Sequence, residues 1–418
     1  MKILILGSGG REHAIIWKLS SEIKNPTIFA IPGNGGISDL ANIVNIPLRQ
    51  KKEIVDFAQK EKINLTVVGP ETPLSEGIVD LFLENGCPIF GPVKKAALLE
   101  SSKSWAKEFM SASGIPTGGF EIFDDFSVAK DFIETKAKFP VVLKFDGLAA
   151  GKGVSIIYSI EEGIPFLENI FLKNIYKTEN PKIILEEFLS GRELSYLIFT
   201  DGESFIPMEP AKDYKKIFDG DKGPNTGGMG CFSPVDFCTK EIKKIIENQI
   251  VIPTIKNLQK RNITYTGVLY CGIILTSDGP KVLEYNARFG DPETEVLLPR
   301  MKTPLLDVME AVVKRELRKI KIAWHQEYCV DVVLASRGYP EKHQTGKQIF
   351  GLDNVPRDVF VFHSGTKKQN NEYYTSGGRV LNIVSIGQTI TEAGERVYKT
   401  IPLIDFEGKY YRNDIALL

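Results

Sequence analysis

Two signatures are missing from this chain: paired cysteines and a charge bias. The five cysteines, Cys87, Cys231, Cys238, Cys271 and Cys329, are scattered, odd in number and never spaced as CxxC. That excludes a disulfide framework and a thiolate zinc site, and it fits a reducing compartment. Lys and Arg total 52 against 53 Asp and Glu, a net charge of −1. No overall field pulls the chain toward nucleic acid or an anionic membrane, so neither is expected as a partner. A local phosphate pocket stays open, because it needs only a few residues. No apolar run reaches the ~18 residues of a membrane span. Lys2 runs directly into the apolar stretch Ile3 to Leu6, without the long apolar region of a secretory leader, so a cytoplasmic protein is expected. Internal repeats and low-complexity segments are absent too.

What is present is an ordinary globular composition, 43% apolar and 25% charged over 418 residues. At ~100–200 residues per domain, two to four domains are expected. Residues 1–100 alternate short apolar strands with helical stretches: KILIL (2–6), TIFA (27–30), LTVV (65–68) and PIFG (88–91). That alternation predicts βαβ units and a parallel sheet, with Gly-rich turns at the strand ends where such sheets bind ligands. From about 101 the texture changes. A helix carrying Lys103, Trp105, Phe109 and Met110 is followed by strands near 120–123, 140–144, 154–158 and 182–188. A strand over 194–200, a long loop over about 210–234, a long helix near 239–261 and a hairpin over 265–286 come next. Residues 326–418 read as strand-rich, with one helix near 389–399.

Several segments carry candidate chemistry. Gly7-Ser8-Gly9-Gly10-Arg11-Glu12-His13 follows the first strand. A dinucleotide fingerprint needs glycine where Glu12 stands, and no acidic residue ends the second strand, so NAD binding is not expected. The turn still offers backbone N–H groups to an anion, or is simply a tight strand-to-helix turn. His13 is expected to pack or cap. Gly147-Leu148-Ala149-Ala150-Gly151-Lys152-Gly153 is not a Walker A loop: it is one residue short, Gly153 replaces the Mg²⁺-binding hydroxyl, and it joins two strands. It is either a Gly-rich β-turn or a loop that folds over phosphates, with Lys144 supplying a cation nearby. Glu186-Glu187-Phe188-Leu189 ends a strand. Such a strand suits adenine recognition and is equally a solvated acidic end.

The densest cluster is Glu284-Tyr285-Asn286-Ala287-Arg288-Phe289-Gly290-Asp291-Pro292-Glu293. On a strand, residues 284, 286 and 288 would share one face. Carboxylate and amide oxygens there suit Mg²⁺, and Arg288 suits a developing negative charge. The Gly-rich stretch Asp219 to Gly230 is expected to be a mobile linker or a backbone cradle for a small anion.

Together and in order, these segments resemble the ATP-grasp superfamily, and more closely its glycinamide ribonucleotide synthetase family. GSGGREHA (7–14), PGNGG (32–36), GPETPLSEGIVD (69–80), FDGLAAGKGV (145–154), GPNTGGMG (223–230), YTGVLYCG (265–272) and EYNARFGDPE (284–293) carry the resemblance. So do ASRGYP (335–340), HSGT (363–366) and GGRVLNI (377–383).

The resemblance implies a multi-domain α/β protein: an N-terminal parallel-sheet domain over 1–100, an ATP-grasp core over 101–325 with a mobile lid inserted at about 120–190, and a strand-rich C-terminal domain over 326–418. It implies ATP as co-substrate, Mg²⁺ or Mn²⁺, and ligation of glycine to 5-phosphoribosylamine through glycyl phosphate by a monomer. By position, Lys103, Lys144, Gly147, Gly151 and Gly153 would meet the nucleotide phosphates. Glu186, Glu187, Phe188 and Leu189 would line adenine, and Glu193 the ribose. Glu284 and Asn286 would hold the metal, with Arg288 and Lys144 stabilising the transferring group. Gly9, Gly10, Asp213, Asn225, Thr226, Gly227, Gly228, Met229, Arg288 and Asp291 would meet the substrates. The superfamily often places a second carboxylate on the preceding strand. Leu269-Tyr270-Cys271 offers none, so a thinner metal shell completed by water and phosphate is expected. Competing readings are a ligase acting on formate or bicarbonate, a nucleotide-binding regulator without turnover, and an NAD-linked dehydrogenase.

Overall fold

The structure, a computed structural model, describes residues 1–149 and 153–417. Its first sheet has five parallel strands: Asn42–Ile43, Thr27–Pro32, Lys2–Gly7, Leu65–Val68 and Ile89–Phe90, in that spatial order. Ile3, Leu4, Ile5 and Leu6 are all fully buried, as a parallel sheet covered on both faces requires. Gly7 and Gly69 close two neighbouring strands at their C-terminal ends.

Three larger antiparallel sheets follow, beside two smaller ones. The first orders Phe120–Phe123, Ile183–Glu187, Val141–Phe145 and Val154–Ile157. It owns a separate apolar cluster, including Ile133, Leu143, Ile170 and Leu185. The central sheet orders Phe205–Pro207, Arg192–Thr200, Gly267–Thr276 and Gly279–Asn286. The third orders Lys212–Asp213, Gly230–Ser233, Tyr328–Ala335, Arg379–Gly387 and Val359–His363.

That third sheet corrects one expectation. Residues 210–234 are not a plain loop: they give two strands to the sheet completed by residues 328–387, plus the hairpin Lys216–Phe218 with Lys222–Asn225. Their Gly and Pro content hides strands whose partners lie a hundred residues away. The long helix expected near 239–261 is also interrupted. Lys240–Ile246 and Ile252–Lys260 flank a wider turn, Glu247–Val251. Pro253, which lacks an N–H, follows that turn. The helix Lys103–Ala112 is as expected, capped by Ser102, whose hydroxyl accepts from the Trp105 amide at 3.2 Å. Among the described residues, no helix is long and apolar enough to cross a membrane.

Candidate active site

Where the central sheet meets the 120–187 sheet, positive side chains collect around one carboxylate. Glu284 lies near the end of the Gly279–Asn286 strand, opposite Gly272, where an added Cβ would come within 3.2 Å of the Glu284 side chain. Lys215 reaches Glu284 Oε1 at 3.4 Å. Burial opposes ionisation of Glu284. Lys215, Lys144 and Lys103 outweigh it and hold the carboxyl down at about 2. Three ammonium groups therefore act on this carboxylate, and Lys144 also pairs with Glu186.

Each lysine is fixed by a different element. Lys103, at the start of its helix, donates to the Gly147 carbonyl at 2.7 Å. The root of that Gly-rich loop is tied to the same helix, because Asp146 accepts from the Ser104 amide at 3.1 Å. Burial lowers the Lys103 ammonium below its usual range. Lys144, on Val141–Phe145, donates to the Leu283 carbonyl at 3.0 Å and pairs with Glu186 at 2.9 Å. Lys107 holds the other Glu186 oxygen at 2.7 Å and donates to Thr117 Oγ1, which donates to Val282 O, both at 2.7 Å. Burial brings Lys107 down to about 8 against the pull of Glu186.

The ends of the first antiparallel sheet flank this cluster. Glu187 pairs with Gly119 through its amide at 2.8 Å and its carboxylate at 3.1 Å. Phe188 and Leu189, just past the strand, are half-buried, and Glu193 is exposed on the next strand. Gly153 packs so closely that a Cβ would come within 2.9 Å of Ala149, and its carbonyl accepts from the Phe145 amide at 2.7 Å. Gly151 lies outside the described residues.

Asn286 shares the strand and the face of Glu284. Arg288 lies just past the strand, which ends at Asn286, and it still meets that face: it donates to Asn286 Oδ1 at 3.3 Å while pairing with Glu100 at 2.9 Å and Glu71 at 3.2 Å. Buried beside Arg288, Glu100 is still pushed up to about 6.

The Gly-rich segment is built, not slack. Asp213 sits half-buried near Lys215; burial pushes its carboxyl up to about 7, with Lys215 opposing and Glu293, Glu193 and Glu284 adding. Thr226 closes a turn on the Lys215 carbonyl at 2.8 Å through both its amide and its hydroxyl. Asn225 faces Lys216 across the hairpin. The Gly227 amide donates to Tyr339 Oη at 2.8 Å, and its carbonyl accepts from Arg379 at 2.8 Å. Arg379 also pairs with Asp291 at 3.0 Å. Gly228 has φ +117°, and a Cβ there would meet Pro292 at 2.5 Å, so only glycine fits. Met229 is fully buried with Ile217 and Ala335, which makes its side chain a packing group.

The first Gly-rich turn adjoins the Arg288 end of the site: an added Cβ at Gly9 would come within 3.1 Å of Asp291, and Arg11 donates to the Phe289 carbonyl at 3.1 Å. The Gly9 amide donates to Glu12 Oε2 at 2.5 Å, and Glu12 pairs with Arg11 at 2.6 Å. The chain's own carboxylate thus takes one of the N–H groups that an outside anion would need. Gly10 is packed against Asn382, Glu295 and Ser364. His13 is buried, and its Nδ1 accepts from the His363 amide at 2.7 Å, a packing role as expected.

Four residues escape sequence reasoning: Lys107, Lys215, Glu293 and Arg379. Lys107 had a signal, standing one turn after Lys103 on the same helix face. Glu293 is buried and accepts from Ser195 Oγ at 2.9 Å. Lys215 and Arg379 become visible only when distant strands come together.

Comparison with known proteins agrees along the whole length. Family models match in three parts: the phosphoribosylglycinamide synthetase N domain at residues 1–100, its ATP-grasp (A) domain at 101–294 and its C domain at 329–418. The chain is 46% identical to a phosphoribosylamine–glycine ligase of Caldanaerobacter subterraneus, over 100% of this chain and 99% of that one. It is 44% identical to the same-named protein of Halalkalibacterium halodurans, covering 100% and 96%. The crystal structure of phosphoribosylamine–glycine ligase from Thermotoga maritima superposes with a TM-score of 0.84 at 35% identity, covering 99% of this chain and 100% of that one. With relatives this similar over nearly their full length, the chain belongs to the phosphoribosylglycinamide synthetase family.

Proposed function

We propose that this chain ligates glycine to 5-phosphoribosylamine with ATP, giving glycinamide ribonucleotide, ADP and phosphate. The observation that carries the reading is the placement of two lysines beside the Glu284 strand, Lys103 tied to the Gly-rich loop at the Gly147 carbonyl and Lys144 to the Leu283 carbonyl. Those two ammonium groups, drawn from different elements, suit a triphosphate bound between them.

A carboxylate is a poor electrophile, so the reaction runs in two displacements. A glycine carboxylate oxygen attacks the γ-phosphorus, and ADP leaves with the bridging oxygen. The amine nitrogen of phosphoribosylamine then attacks the acyl carbon; phosphate leaves and the nitrogen loses a proton. The protein's share is positioning and charge neutralisation. Lys103 and Lys144 meet the phosphates. Arg288 faces the transferring group, with Glu71 and Glu100 fixing its guanidinium. Glu284 and Asn286 would hold a Mg²⁺ or Mn²⁺ ion, which when bound screens phosphate oxygens. The donor set fits, since Glu284 stays ionised and Asn286 offers an amide oxygen on the same face. Lys215 lies beside Glu284, and Asp213 offers a carboxyl to the amino group of a substrate.

The test is ADP release. Glycine with phosphoribosylamine should trigger it, whereas formate or bicarbonate should not. Release driven by either of those instead would overturn the substrate assignment.

A further inference from the structure

Segment 410–416 grips the hairpin that carries Lys215. Arg412 is completely buried and spends its guanidinium on that contact. It pairs with Asp221 at 2.8 Å, donates to the Lys216 carbonyl at 3.0 Å and clamps Asp414 through two bonds of 2.7 Å. Its Cζ lies 5.0 Å from the centre of the Tyr214 ring. The neighbours add to the hold. Tyr410 Oη donates to the Ile217 carbonyl at 2.9 Å, the Asn413 amide donates to Asp219 at 2.9 Å, and the Gly220 amide donates to Asp414 at 2.8 Å. The Ala416 amide donates to Tyr214 Oη at 3.2 Å.

Tyr214 and Lys215 form the link between the strands Lys212–Asp213 and Lys216–Phe218. Tyr214 meets segment 410–416 and Lys215 meets Glu284, while Arg412 holds the carbonyl of Lys216, the next residue. Holding the residues on either side fixes Lys215. We propose that Arg412 is a positioning residue for the ligation: it acts through Lys215, setting the ammonium against Glu284 although Arg412 itself meets no substrate. The inference rests on the functional reading above. A purely architectural arginine would lower stability without favouring one substrate over another.

The experiment is a double-variant cycle in the full chain, read by steady-state ADP release with glycine and ATP varied separately. Arg412→Gln should lower kcat/KM for glycine about ten- to a hundredfold, the cost of a displacement near 1 Å. KM for ATP should stay within about twofold. In a Lys215→Met background the same change should add almost nothing, and Arg412→Lys should recover part of the loss. Wild-type kinetics in Arg412→Gln, or losses that multiply with those of Lys215→Met, would overturn the proposal. Should Arg412→Gln not fold, Asp221→Asn takes its place, since that side chain is 62% exposed. It should show the same glycine-selective split at smaller amplitude, and no split would overturn the proposal. Absence of glycine-dependent ADP release in the wild type would instead sink the reaction assigned above.

Discussion

Glu284 and the pair Glu295 and Asp331 are carboxylates in sheltered places with opposite fates. Glu284, whose side chain is 33% exposed, is ringed by three lysines and held down at about 2. Glu295 and Asp331 are fully buried, and among the described residues none of their four carboxylate oxygens has a hydrogen-bond partner. Burial pushes both well above the usual carboxylate range, other acids, Asp291 first, push further, and the single guanidinium of Arg379 does not outweigh them. Burial alone therefore does not mark a reactive site. The company of cations decides whether a sheltered acid carries charge, and charge is what a phosphate-handling site needs.

That contrast can be broken or sharpened by substitution. The largest effect belongs to Arg288. Arg288→Ala should lower turnover by ~10²–10³ with ATP affinity within a few-fold. It also strands Glu100, so it should cost roughly 3–5 kcal/mol of stability. Adding Glu100→Gln should restore the melting temperature but not the rate. Full activity of the pair would remove Arg288 from the chemistry.

Glu284→Gln comes next. It removes the anion that three lysines surround, and the Mg²⁺ concentration for half-maximal rate should rise by about tenfold or more. An unmoved Mg²⁺ titration would reassign the metal.

Asp331→Asn should act on stability alone. Asp331 keeps its proton in the folded chain at pH values where the unfolded chain, ionising near 4, has lost it. Folded stability therefore falls as pH rises, by up to about 1.4 kcal/mol per pH unit. The asparagine variant escapes this, so its advantage in melting temperature should grow from pH 5 to pH 8. A constant difference would mean that Asp331 is ionised and partnered.

Among residues beside the site, the smallest effect on rate belongs to Glu12→Gln, which alters a carboxylate already satisfied by Gly9 and Arg11. Roughly 3–5 kcal/mol of stability should go, because buried Arg11 loses its counter-charge, with kcat of the folded enzyme within about twofold. A large rise in KM for phosphoribosylamine would show that this turn belongs to the substrate after all.

Much of this was legible in the chain itself. The strand LTVV is Leu65–Val68 as written, and the carboxylate-amide pair Glu284 and Asn286 sits on one strand as the period of two demanded. Local pattern succeeded wherever local burial wrote it. It failed where partners are remote. The strands Lys212–Asp213 and Gly230–Ser233 looked like loop because glycine and proline dilute their apolar signal; they pair with each other, and the second is fixed by Val330 and its neighbours. Arg288 was read onto a strand that stops two residues earlier, since nothing local reports the pull of Glu71 and Glu100. Lys215, Arg379 and Arg412 share that blindness: each charge finds its meaning across a long stretch of chain.

The third antiparallel sheet also sets an order of assembly. Gly230 lies beside Val332, and Val332 lies beside Ile383. A chain emerging from the ribosome can close its first sheet once residue 90 has appeared, because all five strands are then available. The strand at 230–233 must wait with a bare edge until the 330s are made, and its neighbour waits for the 380s. Such distant pairings close slowly. Competence to bind substrate therefore arrives late in synthesis, well after the nascent protein already looks half built.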